Sequence, residues 1–181
     1  MEEGAKAARI MTKRICLHCP ESTGKSTLAT RLAAHFGCEV VPEYGRAYCE
    51  ANGTDIDMAA LVHIARTQDT MNVAAAARSD AQVLFDTDPL ITAVWAQMMF
   101  ARRDRYFGAY NGYADLYLLL DIDLPFIDDG LRVYRETAER QHFFDLCKAE
   151  LEARGVTWRL VQGEGDARLQ SALRHIEELS T

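Results

Sequence analysis

Short apolar runs alternate along the chain with longer stretches in which apolar positions recur every three or four residues. Ile15-Cys16-Leu17 centres a strand over Arg14–His18, and comparable runs predict strands at Cys38–Val41, Gln82–Asp86, Leu116–Asp121 and Thr157–Gln162. The intervening stretches carry the helical period. The longest runs from about Asp57 to Arg78, where Leu61, Ile64, Ala65, Gln68, Met71 and Ala75 form one apolar side interrupted by a single amide. Others run from Thr27 to Ala34, from Pro89 to Arg102 with proline suited to the first turn, from Glu136 to Arg154 with Gly155 as the stop, and from Ala167 to Leu179. The aromatic, glycine-punctuated stretch Tyr106–Tyr113 reads as a loop. Residues 1–12 are expected to form a flexible tail, Ser180-Thr181 to fray, and residues 13–181 to make one domain.

This alternation predicts an α/β fold: a mostly parallel sheet covered by helices on both faces. Right-handed crossovers then gather the carboxyl ends of the strands on one edge, where open sheets bind ligands. Polar residues stand at those ends. The first strand runs into Cys19-Pro20-Glu21-Ser22-Thr23-Gly24-Lys25-Ser26, the second into Pro42-Glu43-Tyr44, the third into Asp86-Thr87-Asp88, and the fourth into Asp121-Ile122-Asp123.

Composition narrows the field. At 181 residues, with 49% hydrophobic and 26% charged positions, the chain is long enough to bury a core and fold alone. Its 20 basic and 27 acidic residues, net −7, argue against a general nucleic-acid or membrane surface but leave room for nucleotides. Five irregularly spaced cysteines suit a reducing compartment, and the cytoplasm is the expected location. Cys16 and Cys19 have the spacing of a metal or redox pair, but no second pair follows, and both belong to the strand and loop already described. No apolar stretch reaches the ~18 residues of a membrane span.

The chemistry concentrates first in the loop at 19–26. A strand feeding a tight loop that opens a helix at Gly-Lys-Ser aims main-chain N–H groups and a helix N-terminus at one point, which favours a polyanion. Glu21, Ser22, Thr23, Gly24, Lys25, Ser26 and Thr27 are therefore candidate nucleotide-binding residues. Lys25 would reach the β- and γ-phosphates of ATP, and Ser26 would hold Mg²⁺. Cys19 stands where the usual pattern has its first glycine. Either that peptide is ordinary or the loop is strained, because a positive φ penalises cysteine.

Asp86, after Val83-Leu84-Phe85, matches the second carboxylate of phosphate-loop enzymes and is a candidate for metal or base duty, whereas Asp88 binds substrate or caps the helix that Pro89 opens. Glu43, across the cleft from the phosphate loop, could bind sugar hydroxyls or take a proton from one. Tyr44 and Arg46 could complete the acceptor pocket, with an ion pair to Glu43 as the alternative for Arg46. Trp95, inside Val94-Trp95-Ala96, reads as core more readily than as a stacking platform. Arg132, Arg135 and Arg140 follow the fourth strand. Arginines on a mobile segment deliver cations to a migrating phosphoryl group and exclude water, so these suggest a lid; a solvated helix face with Glu136 beside Arg140 is the alternative.

Four segments together resemble a known family: Cys19–Leu28, Val41-Pro42-Glu43-Tyr44-Gly45-Arg46, Phe85-Asp86-Thr87-Asp88, and Tyr117–Asp121 followed by Asp128-Asp129-Gly130-Leu131-Arg132. They look like the ribosylnicotinamide kinase domain of the bifunctional NAD-biosynthesis regulator proteins, over about residues 13–176. The resemblance implies a phosphate-loop NTPase or nucleoside kinase fold with strand order 2-3-1-4-5, and transfer of the γ-phosphate of ATP to the 5′-hydroxyl of nicotinamide riboside. It assigns Lys25 and Ser26 to nucleotide and metal, Glu43 and Asp86 to the acceptor and metal side, and Arg132 to the lid; Gln68 matches a recurring position that would face the substrate. The sequence departs from that family in showing no adenylyltransferase or DNA-binding part, so it is expected to make the mononucleotide without completing the dinucleotide or binding an operator. A kinase for another nucleoside or small hydroxylated metabolite, and a nucleotide-binding switch ATPase or GTPase, are the alternatives; acceptor dependence separates the last from the others. The sequence names no partner protein.

Overall fold

The computed structural model describes residues 13–128 and 132–179. The expected tail, the fraying terminus, and Asp129 and Gly130 of the arginine segment lie outside them. Strands β1 (Lys13–His18), β2 (Glu39–Val41), β3 (Gln82–Phe85), β4 (Leu116–Leu120) and β5 (Trp158–Val161) form one sheet in the order β2-β3-β1-β4-β5. Every pairing is parallel, with Ile15 beside Leu84 on one flank and Leu116 on the other. Both the fold class and the strand order expected from the resemblance stand.

The strand period sorts side chains between two cores. Ile15 and Leu17 of β1 and Leu116, Leu118 and Leu120 of β4 pack under helices α1 (Lys25–Phe36) and α7 (Gly165–Glu178), with Leu28, Leu32, Ala172 and Ile176. Cys16, Tyr117 and Leu119 point to the opposite face, where Val94 of α4 (Pro89–Phe100) and Phe143 and Cys147 of α6 (Thr137–Arg154) cover them. Because β1, β3 and β4 are buried on both faces, they read as continuous apolar runs rather than alternations.

The long helix α3 (Met58–Arg78) starts where Asp57 accepts the Ala60 N–H at 2.8 Å, and α6 stops at Gly155 in the left-handed region (φ 63°). Two elements differ from the expectation. Helix α2 (Tyr44–Asn52) follows β2 directly but buries no residue completely, so it carries no core stripe for a periodicity argument to find. Within the stretch read as loop, α5 (Arg105–Ala109) is a single turn capped by Asp104, which accepts the Tyr106 N–H at 2.8 Å. Among the described residues, no helix is long and apolar enough to cross a membrane.

Candidate active site

The phosphate loop leaves β1 at the centre of the sheet and ends where α1 begins. Gly24 carries φ 75° at the N-cap of α1, and a β-carbon there would stand 3.1 Å from the Leu124 side chain. The left-handed backbone favours glycine, and any side chain there would have to push the Leu124 methyl aside. Cys19 needs no such freedom: among the described non-glycine residues only Ser22 and Ala101 have positive φ. The thiol is buried and receives the Thr23 hydroxyl at 2.8 Å, and burial pushes its pKa up to about 11. At this position the loop is ordinary backbone with a side chain plugged into the core, and the one non-glycine residue of the loop in the left-handed region is Ser22 (φ 59°).

Lys25 sits between two carboxylates. Its ammonium donates to Glu43 Oε2 at 3.1 Å and faces Asp86 Oδ1 at 3.9 Å. Burial opposes the charge, but Glu43 and Asp86 outweigh it and hold the ammonium above its ordinary pKa. Burial raises the pKa of Asp86 against the pull of Lys25. Asp86 Oδ2 accepts the Ser26 hydroxyl at 3.2 Å, whereas the buried Oδ1 accepts no hydrogen bond. A hydroxyl beside a carboxylate with an unused oxygen is a donor set suited to a hard cation. Among the described residues, no group of three His, Cys, Asp or Glu side chains forms a complete cage. A cation here would therefore draw on nucleotide phosphate oxygens and water as well.

From this charged head a cavity runs between α2, α3 and α4. The phosphate loop from Cys19 to Thr27 forms one end, with Glu43, Arg46 and Cys49 along the side. Ile64 of α3 and Ile91, Trp95 and Met99 of α4 form an apolar floor, and Arg132 and Val133 form the rim. Trp95 is half-buried, with Tyr134 tilted against its indole at 5.5 Å and Phe143 edge-on at 4.8 Å. It belongs to the core and to the cavity wall at once, a position that an apolar helix pattern cannot single out. Cys49 carries no local signal either, because α2 has no buried stripe.

The segment after β4 is tied to the phosphate loop. Glu21 Oε2 accepts the Val133 N–H at 3.0 Å, and Ser22 Oγ accepts the Ile127 N–H at 2.7 Å. Arg140, buried beneath them, donates to the main-chain oxygens of Ser22 and Leu124 at 3.4 Å each and lies over the Phe126 ring. It braces the loop and is not on a solvated helix face. Arg132, on the rim, donates to Ile127 O.

Several expected site residues are not brought to the cavity wall. Asp88 is fully buried: it accepts the Leu90 N–H at 2.9 Å as the cap of α4 and the Tyr117 hydroxyl from β4. Capping, not substrate contact, is what its position after β3 permits. Gln68 points into the protein and accepts the Tyr44 N–H at 2.8 Å, so the amide does not face a substrate. The Tyr44 ring turns toward Tyr48 and His63, its hydroxyl 3.3 Å from His63 Nε2. Arg135 pairs with Asp128 at 2.8 Å on the surface. At the end of β4, Asp121 accepts the Ile122 N–H (2.7 Å) and the Gln162 amide (2.8 Å), while Asp123 accepts the Gly163 N–H (2.7 Å) and the Arg168 guanidinium. These two carboxylates fasten the β5–α7 turn and do not serve the cavity.

Residues 14–168 match the family described as AAA domain. The trifunctional NAD biosynthesis/regulator protein NadR of Escherichia coli (strain K12) is 28% identical over 172 residues, covering 88% of this chain and 40% of that protein. This chain thus spans well under half the length of that relative. A crystal structure of a NadR protein in complex with NR superposes with a TM-score of 0.79 at 24% identity, covering 93% of this chain and 52% of that one. Deoxyadenosine kinase from M. mycoides superposes with a TM-score of 0.65 at 12% identity over 93% of this chain and 100% of that one. At these identities the two structural likenesses establish the phosphate-loop kinase fold.

Proposed function

We infer that this chain, which belongs to the AAA domain family, is a phosphotransferase that moves the γ-phosphate of ATP to the 5′-hydroxyl of a nucleoside, with nicotinamide riboside as the acceptor. The observation that carries this reading is the placement of Lys25, held between Glu43 and Asp86 at the head of a cavity whose far wall is apolar and aromatic. A protein that only bound or hydrolysed nucleotide would need the cation but not a second, acceptor-shaped compartment.

In this mechanism the loop amides and Lys25 hold the triphosphate, and Lys25 exchanges its contact with Glu43 for the phosphate oxygens. The freed Glu43 carboxylate accepts the proton of the acceptor hydroxyl as that oxygen attacks the γ-phosphorus and ADP departs. Ser26 and Asp86 would hold Mg²⁺, which supplies charge neutralisation on the phosphates. Arg132 on the cavity rim would add a cation, and the contacts of Ser22 with Ile127 and of Glu21 with Val133 tie that rim to the loop.

Support for nicotinamide riboside comes from the likeness to NadR proteins, one of them solved with NR. A physical argument points the same way. A pyridinium ring is attracted to the face of an indole, and Trp95 stands on the cavity wall. The test is phosphorylation of a nucleoside panel with MgATP, followed by product chromatography. Nicotinamide riboside is expected to give the highest kcat/KM. Equal or better turnover of deoxynucleosides would replace it as the acceptor, and ATP hydrolysis indifferent to every nucleoside would remove the kinase reading.

A further inference from the structure

We propose that Asn72 and Gln68, one turn apart on α3, are positioning residues that set the gap between the two carboxylates flanking Lys25, and that Asn72 thereby controls the rate of transfer. This rests on the phosphotransferase reading above. Both amides are almost completely inaccessible, at 4% and 1% exposure. Neither is among the residues lining the cavity.

Their hydrogen bonds form a ladder between the two catalytic loops. Gln68 grips the main chain on both sides of Glu43: its Oε1 accepts the Tyr44 N–H at 2.8 Å, and its Nε2 donates to Pro42 O at 3.1 Å. The same Nε2 donates to Asn72 Oδ1 at 3.1 Å. Asn72 Nδ2 then donates to Thr87 O at 3.0 Å, on the residue that follows Asp86. The β2–β3 ladder reaches Val41 and Phe85, and one further main-chain link runs from Asp86 N–H to Val41 O at 2.9 Å. Beyond it the two loops leave the sheet; Lys25 bridges their carboxylates, and the amide ladder ties their main chains.

The choice of residue type is informative. The neighbouring inward positions of α3 are Leu61, Ile64, Ala65 and Ala75, so packing alone would be served by another apolar side chain. Burying two primary amides is favourable only where their donors and acceptors are satisfied, and here Gln68 uses both Nε2 hydrogens and Oε1. A fully satisfied network fixes geometry more sharply than apolar contact does. Displacing a reacting group by ~1 Å can cost on the order of 10²-fold in rate.

The experiment compares wild type with Asn72→Asp, Asn72→Ala and Gln68→Glu at a temperature where all are folded. Readouts are kcat and KM for nucleoside and MgATP, MgATP affinity by calorimetry, and Tm. Asn72→Asp keeps the acceptor for Gln68 and loses the donor to Thr87 O. Leu173→Ala, on the buried side of α7, serves as a control that lowers Tm away from the site. The expected result is a kcat reduced about 10–100-fold in all three ladder variants, with MgATP affinity within about twofold of wild type and a normal kcat for Leu173→Ala. A kcat within twofold of wild type in the folded Asn72 variants overturns the proposal and leaves the kinase reading standing. So does a loss of activity that tracks MgATP affinity or Tm. Wild-type protein that phosphorylates no nucleoside overturns both.

Discussion

The ends of β2 and β3 and the end of β4 present carboxylates on the same edge of the sheet, yet only those after β2 and β3 gather around the candidate site. Glu43 and Asp86 face one lysine, and one Asp86 oxygen is left without a hydrogen bond. Asp121 and Asp123 have oxygens taken up by Gln162 and Gly163 of the β5–α7 turn and by Arg168 of α7. The difference is one of unused capacity. A carboxylate whose acceptors are filled by a neighbouring turn and helix stabilises the fold, and one with a spare oxygen next to a buried cation can take a metal or a proton.

The sharpest way to break this comparison is Glu43→Gln, which keeps shape and the contact to Lys25 but removes basicity. The expected loss in kcat is about 10²–10⁴-fold with MgATP affinity little changed. An effect confined to ATP binding would place Glu43 on the nucleotide side instead. Next comes Asp88, whose carboxyl burial raises to about 6. A folded-state pKa above the ordinary carboxyl value means that its contribution to stability is fully present below about pH 4 and is lost as pH rises through about 6. Denaturation of wild type and Asp88→Asn from pH 4 to pH 7 should therefore show wild type losing up to about 3 kcal/mol relative to the variant. A pH-independent difference would contradict the assignment of Asp88 as a buried cap.

Asp123→Ala tests the other end of the sheet. It removes the carboxylate partner of the buried Arg168, which keeps the Gly163 and Asp121 carbonyls, and because Asp123 itself is partly exposed the expected cost is about 2 kcal/mol of stability, with kcat unchanged in the folded protein. A kcat effect comparable to that of Glu43→Gln would erase the distinction between the two regions. The smallest effect is expected for Cys19→Gly. The backbone there is ordinary, so removing the thiol should cost about 1 kcal/mol of packing by urea denaturation and bring no gain in MgATP affinity.

Legibility in the sequence follows the same division. The strands, the five longer helices and the phosphate loop are legible because apolar period, caps and Gly-Lys-Ser are local signals. Asp86 and Glu43 were identified from their places at strand ends. Asp121 and Asp123 carried the same local signal, and only the approach of Arg168 and Gly163 from 40 and more positions away reveals their different use. Helix α2 escaped because it has no fully buried side, and with it went Cys49. Gln68 was visible as an odd amide on an apolar stripe, but its direction was not: a buried amide and a substrate-facing one look alike until the partners Pro42, Tyr44 and Asn72 are in place. Trp95 was read as core, and packing against Phe143 makes it so, while the same side chain closes the cavity.

The measurement closest to the central claim is calorimetric titration of the folded protein with MgATP, wild type against Lys25→Ala. Saturable heat from wild type, and its loss in the variant together with a fall in transfer rate of at least about 10²–10³-fold, is the predicted result. No heat from well-folded wild type, or equal binding by Lys25→Ala, would contradict the assignment of the loop around Gly24 as the triphosphate cradle.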